Sequence, residues 1–388
     1  MELITLDPRP DLEHRLEGRG MTWFTGPKEP TWCEHKAYVF TADEVARLET
    51  GANEILDMIP AAVDRMIGDA RMLDRLGIPD DMRPYLKKTW DRQDPDIYGR
   101  MDFGWDFASD PKLYEYNADT SACLWEGCVV EPEWWGEKGL MQFPAGAAMW
   151  NDLFTELTRA FREVPLPGGS ILFTSPRGND ERMKGALAMA KAAKDADYNA
   201  HFAFLEDLAI DGDYACDLTG NRARVLFKVY WAWEKLMRLP LGKALAASSV
   251  VCIEPFWKVL LQNKLFPAVL WDLHPGHPNL LETYAEDDPR AARLGNSGFA
   301  RKTVFGREGS NVELMMTDGS AETTDGPYEA TGWVRQKLHP LPEVDGRHPM
   351  MGVWAVRGRA CGLIIRESAG LITRNESPVV PNVVLPAA

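Results

Sequence analysis

The residues best suited to chemistry lie in two short runs separated by a turn. Tyr98 to Phe103 alternates in polarity and is rich in aromatic residues, and Lys112 to Asn117 does the same. Gly104 and the Ser109-Asp110-Pro111 cluster supply turn chemistry between them, so the spacing predicts a β-hairpin. Side chains two apart on a strand share a face. Arg100 and Asp102 therefore project together, as do Glu115 and Asn117, and pairing of the strands would bring all four to one surface. Asp102 and Glu115 are hard oxygen donors and Asn117 adds a neutral carbonyl, a set that suits Mg²⁺ carrying water and phosphate oxygens. The fixed fork of Arg100 suits a phosphate or a developing acyl phosphate. The same spacing also fits a solvated polar face with cross-strand arginine–carboxylate pairs. Directly downstream, backbone amides and hydroxyls at Thr120 and Ser121 could hold a carboxylate, or simply form Asx-type turns.

A second constellation is Lys302 to Phe305 running into Gly306-Arg307-Glu308-Gly309-Ser310-Asn311. A lysine-bearing strand followed by a glycine-containing loop with an arginine can cover a triphosphate with backbone amides. It has neither the Walker A nor the GxGxxG spacing, and an ordinary hairpin turn explains it equally. Lys264, Gln336 and Arg366 form a third set of basic or amide residues at the ends of expected elements. The six cysteines contain no CxxC pair and read as reduced, mostly buried thiols rather than a zinc site. His274 and His277 are separated by Pro275-Gly276, which marks a turn and not a ligand pair.

The elements that must position these residues are legible in outline. Thr41 and Glu44 form a capping box ahead of Val45, Leu48, Ala52 and Ile55 at helical spacing, with Pro60 expected to kink or end that helix and Ala61 to Ile67 to form a second piece. Pro165 to Gly169 reads as a linker. Ile171 to Thr174, Glu181 to Ala193 and Ala200 to Leu205 then give strand, helix and strand, which implies a parallel α/β layer, and Val225 to Tyr230 adds a strand. From Glu254 the pattern is helical, interrupted by Pro267. The last hundred residues turn to β signals at Arg301–Phe305, Trp333–Leu338, Met350–Val356 and Ala360–Ile365, with turns at Asp345-Gly346 and Arg357-Gly358. The fold class is α+β with one α/β layer inside it.

The 388 residues are enough for one large domain or two or three packed subdomains, and 45% apolar with 26% charged residues is ordinary globular composition. A formal charge of −15 argues against nucleic-acid binding and means that a polyanionic ligand must meet a local basic cluster. The N-terminus has no apolar signal-like core, and no run of about 18 apolar residues suggests a membrane span. A cytoplasmic protein without a membrane or nucleic-acid partner is expected.

Taken in order, RMDFG…LYEYNADTSACLWEG, EPFWKVLLQNKLFPAVLWDLHPGHPNLL, RKTVFGREGSN and VRQKLHPLPEVDGRHPMMGVWAV…GLIIRES resemble the synthetase domain of the glutathionylspermidine synthase family, from about Phe24 to the C-terminus. The resemblance implies an ATP-grasp fold in that family's rearranged arrangement, with metal-binding strands ahead of the nucleotide lysines and a parallel pre-ATP-grasp layer within. It implies an ATP- and Mg²⁺-dependent acid–amine ligase that joins a peptide-type carboxylate to a polyamine or other amine through an acyl phosphate. Asp102, Glu115 and Asn117 match the family's magnesium ligands, and Arg100 matches the arginine at the transferred phosphate. Arg366 matches a second phosphate-side arginine. Thr120, with Ser121 beside it, falls near the reacting carboxylate. Lys264 and Lys302 match the nucleotide lysines, Arg307 and Gly309 lie in the loop over the phosphates, and Gln336 falls near the adenine. The implied subregions are approximately 1–164 for metal and acid, 165–250 for the α/β layer and 251–388 for nucleotide. The chain resembles the shorter members that lack an N-terminal amidase domain.

Overall fold

The computed structural model describes residues 1–26, 29–228, 232–328 and 332–386. The capping box at Thr41 is formed: the Thr41 hydroxyl accepts from the Glu44 amide and the Glu44 carboxylate accepts from the Thr41 amide. The helix it starts runs unbroken over Ala42–Ile67, so Pro60 neither ends it nor splits off a second piece. Leu48, Ala52, Ile55 and Leu56 before the proline and Ala62, Val63 and Met66 after it are buried in one core. That shared packing outweighs the roughly 3 kcal/mol that an interior proline costs.

Four parallel strands form the α/β layer in the order Val251–Ile253, Val225–Phe227, Ser170–Ser175, Asn199–Phe204, and the Asp180–Asp195 helix crosses between the last two. The layer matches the expected strand–helix–strand order. Val225–Phe227 is shorter than expected, and Val229 and Tyr230 lie outside the described residues. The segment after Glu254 corrects the helical expectation. It is a 3-10 turn at Phe256–Leu260 followed by a helix at Phe266–Leu273. Pro267 opens that helix and does not interrupt it, because the missing N–H of proline costs nothing in the first turn. Asn263 caps the end, its side-chain oxygen accepting from the amides of Leu265 and Phe266 at 2.9 and 3.1 Å.

Two five-stranded antiparallel sheets carry the residues of interest. One orders as Val379–Val380, Arg359–Ser368, His348–Val356, Tyr98–Gly104, Lys112–Asn117; the other as Thr283–Ala285, Trp333–Lys337, Phe299–Thr303, Val312–Met315, Ala321–Thr324. The turn at Arg357-Gly358 has both residues at positive φ, the twist a tight hairpin needs. All six cysteines are free thiols, five of them buried. Among the described residues no helix is long and apolar enough to cross a membrane.

The strand Tyr98–Gly104 is buried along its whole length, and a buried ion pair grips its start. Glu254 accepts from the amides of Ile97 at 3.1 Å and Tyr98 at 3.2 Å. Lys258, fully buried, donates to Glu254 at 2.6 Å and to the Tyr98 carbonyl at 2.7 Å. Burial pulls the Lys258 ammonium down, but Glu254 outweighs it and holds the lysine charged, above its usual range. Lys258→Met would strand a buried carboxylate, which costs about 3–5 kcal/mol. In urea denaturation we expect a loss of that size, with part of it recovered in Glu254→Gln/Lys258→Met. Equal losses in the single and double variants would contradict the pairing.

Candidate active site

The hairpin forms as the spacing predicts, and its register sets Arg100 opposite Asn117 and Asp102 opposite Glu115. Arg100 and Asp102 are 2% and 3% exposed, so this is not a solvated face. The arginine's main ion pair runs along its own strand and not across it: Nε donates to Asp102 Oδ1 at 2.7 Å and Nη2 to Oδ2 at 3.2 Å. Nη1 donates to the Ala122 carbonyl at 2.8 Å, and the guanidinium lies 5.5 Å from the Trp354 ring centre. The neighbouring strand has Gly352 here because a Cβ would sit 2.9 Å from Arg100 Cδ and 2.9 Å from the Ile364 side chain. The cross-strand contact is made by Asn117, whose amide nitrogen reaches Asp102 Oδ2 at 2.9 Å and Glu115 Oε1 at 3.3 Å.

Lys264 and Lys302 reach the same surface from later in the chain. Lys264 pairs with Glu115 at 2.7 Å and donates to the Gly306 carbonyl at 2.7 Å. Burial pushes the Glu115 carboxyl up, yet the ammonium groups of Lys264 and Lys302 outweigh it and hold the carboxyl at about 2. Lys302 lies 5.2 Å from the centre of the Tyr114 ring, and burial, reinforced by the Lys264 charge, pushes its ammonium down to about 8. Gln336, 2% exposed, accepts from Lys302 at 2.9 Å and donates to the carbonyls of Leu113 and Tyr114 at 3.4 Å each. Its amide thereby joins the sheet that carries Lys302 to the hairpin sheet and holds the lysine in place.

Between the sheets lies a cleft lined by Asp102, Glu115, Lys264, Lys302 and Gln336. Gly306 to Ser310 form one wall and Lys337 to Leu341 another, with apolar contributions from Val312, Leu314, Met350 and Ile372. The glycine loop is the connection of a hairpin, Phe299–Thr303 to Val312–Met315, as an ordinary hairpin reading expects, and it also faces the cleft. Gly309 is at φ 68°, and a Cβ there would sit 2.4 Å from the Thr373 carbonyl. Arg307 donates to Glu234.

Thr120 and Ser121 lie just past the end of the hairpin. The Thr120 hydroxyl accepts from the Ala122 amide at 3.3 Å, closing a tight turn, and the Thr120 carbonyl accepts from the Tyr98 hydroxyl. Ser121 is buried, and its hydroxyl accepts from Arg182 at 3.1 Å. Arg366 donates to the Arg374 carbonyl and sits two strands from Arg100. Burial raises the Cys123 thiol to about 11, against the opposing charges of Arg366 and Arg100. Among the described residues no three His, Cys, Asp or Glu side chains form a metal cluster. Two carboxylates and one carboxamide nonetheless fit the oxygen-rich, water-keeping coordination of Mg²⁺.

Sequence reasoning missed Tyr114, Arg182, Glu234 and Gly352. Tyr114 and Gly352 lie in strands the sequence did indicate, but their roles depend on what the neighbouring strand presents. If Gln336 aims Lys302, Gln336→Leu should weaken binding of a non-hydrolysable ATP analogue about tenfold, the cost of a charged hydrogen bond. Calorimetry giving an unchanged Kd would contradict that role.

The chain matches the glutathionylspermidine synthase pre-ATP-grasp family over residues 3–385. It is 30% identical, end to end, to a Haemophilus influenzae protein named as an acid–amine ligase. It is 27% identical to the bifunctional glutathionylspermidine synthetase/amidase of Escherichia coli, over 90% of this chain and 59% of that one. It is 25% identical to the trypanothione synthetase of Crithidia fasciculata, over 89% and 55% of the two chains. Among solved structures, a glutathione synthetase-like effector from Globodera pallida superposes with a TM-score of 0.55 at 13% identity, covering 98% of each chain, which supports a shared fold. The family match, the end-to-end relative and the converging hairpin, lysines and glycine loop agree: this chain belongs to the glutathionylspermidine synthase family of ATP-dependent, amide-forming ligases.

Proposed function

We propose that the chain activates a substrate carboxylate with Mg-ATP and passes the acyl group to an amine, on an ATP-grasp fold whose metal-binding strands precede the nucleotide lysines. The observation that carries this is the meeting of Asp102 and Glu115 with Lys264, Lys302 and the glycine loop around one cleft, with Arg100 and Asn117 bonded to Asp102 behind them. The carboxylate oxygen attacks the γ-phosphorus and ADP leaves; the amine nitrogen then attacks the acyl carbon and inorganic phosphate leaves. Phosphoryl transfer asks for positioning and charge stabilisation more than covalent help.

Asp102, Glu115 and Asn117 would hold Mg²⁺, which when bound neutralises phosphate oxygens and orients them. Arg100, pinned by Asp102 and Ala122, retains donor capacity on its two Nη atoms for the transferring phosphoryl group. Arg366 supplies a second cation for the transferring group, and the Thr120 turn offers its amides to the acid. Lys264 and Lys302 bind polyphosphate, and the Arg307–Gly309 loop keeps water from the acyl phosphate. By chain order, 1–164 supplies metal and acid groups, 165–250 all but the last strand of the α/β layer, and 251–388 that strand, the nucleotide groups and Arg366. The relatives' names point to a peptide-type acid and a polyamine or other amine as the substrate classes.

Purified protein with Mg-ATP and a panel of peptides, glutathione included, and of amines should release ADP only when both an acid and an amine partner are present. Arg100→Ala and Asp102→Asn should each lower that rate by on the order of a hundredfold or more while circular dichroism remains native. Wild-type rates in both variants would rule out this assignment of the site.

A further inference from the structure

The glycine loop is fastened to the α/β layer by two ion pairs of opposite sense. Arg307 donates to Glu234, which stands on the short Trp233–Leu236 helix with its side chain 9% exposed. One residue on, Glu308 accepts from Arg182 at 3.4 Å. Arg182 lies in the first turn of the Asp180–Asp195 helix, where the Asn179 side chain accepts from its amide at 3.0 Å, and its own side chain is 8% exposed. The two loop residues carry opposite charges and meet opposite charges, so the loop seats in one register: shifted by one residue, it would set like charges together.

Arg182 also faces the other way. Its Nη1 donates to Ser121 at 3.1 Å, in the turn next to Thr120. The helix is held close to that turn, because Gly185 lies where a Cβ would be 3.1 Å from the Ser121 Cβ. One buried guanidinium thus bridges the turn assigned to the acid substrate and the loop assigned to the phosphates. Glu308 needs such a hold, since it sits at φ 56° between Arg307 and Gly309, a conformation that strains a non-glycine residue.

We propose that Arg182 and Glu234 are positioning residues that hold the loop over the cleft, and that Arg182 couples loop closure to the acid-binding turn. The second half rests on the reading of the site given above. A loop released from the layer would admit water to the acyl phosphate, so ATP would be consumed without amide formation: water oxygen attacks the activated carbonyl, returning the acid and inorganic phosphate.

The test combines amide hydrogen exchange on the ligand-free protein with product stoichiometry. Arg182→Gln and Glu234→Gln should each raise exchange at Gly306, Ser310 and Asn311 by about threefold to tenfold, the range for ion pairs of modest strength. Exchange in the Ser170–Ser175 strand should stay unchanged, which separates loosening from unfolding. Arg182→Glu alone should show the same loosening, and Arg182→Glu/Glu308→Arg should restore protection. Unchanged loop exchange in the single variants, or no recovery in the exchanged pair, would overturn the latch. Once substrates are in hand, wild type should give one ADP per amide and Arg182→Gln an excess of ADP. A one-to-one ratio in Arg182→Gln would overturn the coupling even where exchange has risen. If wild type releases no ADP with any substrate pair, the reading of the site fails, while the exchange results still decide the latch.

Discussion

The structure hangs on the strand Tyr98–Gly104, and that strand hangs on the buried pair of Glu254 and Lys258. The pair binds the strand's first backbone groups, two amides by the carboxylate and one carbonyl by the ammonium. A hydrophobic substitute could fill the volume but could not satisfy those groups, and a buried unsatisfied amide costs about 1–3 kcal/mol. What the pair secures is register. A slip of one residue would turn Arg100 and Asp102 to the opposite face, away from Glu115, Asn117 and the lysines. Glu254 follows directly on the strand Val251–Ile253, so the same contact ties the α/β layer to the sheet that carries the charged hairpin.

Around that strand, charge is arranged so that each buried group has a counterpart. Arg100 is answered by Asp102, Glu115 by Lys264 and Lys302, and Lys228 by Asp119. These contacts keep the unliganded cleft from exposing bare charge in a low-dielectric setting, where an unpaired ion is costly. They also define what a ligand must bring. Under the proposed function, a triphosphate with its cation would offer negative oxygens to the lysines and arginines and a positive ion to the carboxylates, replacing internal pairs with its own.

Much of this was legible in the sequence because it is local. Period-two alternation with a Ser-Asp-Pro turn identifies the hairpin, and the Thr41–Glu44 spacing identifies a helix start. What failed was local inference about prolines: Pro60 is carried inside a helix by core packing on both sides, and Pro267 opens a helix instead of interrupting one. Val251–Ile253 was hidden because three apolar residues become a strand only when Val225–Phe227 lies beside them. Arg182 and Glu234 gave no signal for the same reason. Their partners are 126 and 73 residues away in the chain, and nothing in the residues around them distinguishes them from ordinary helix charges. The hairpin's polar quartet had two readings by spacing; burial of Arg100 and Asp102, with two lysines against Glu115, separates it from a solvated face.

The central claim is that Asp102 and Glu115 serve a nucleotide-bound cation. The most direct measurement is the binding of a non-hydrolysable ATP analogue with and without Mn²⁺, with free Mn²⁺ followed by electron paramagnetic resonance. The account predicts that Asp102→Asn and Glu115→Gln weaken the Mn²⁺-dependent binding by about tenfold or more, while metal-free nucleotide binds no worse, because a negative charge has been removed beside Lys264 and Lys302. Equal losses with and without the metal, or no loss in either variant, would contradict it.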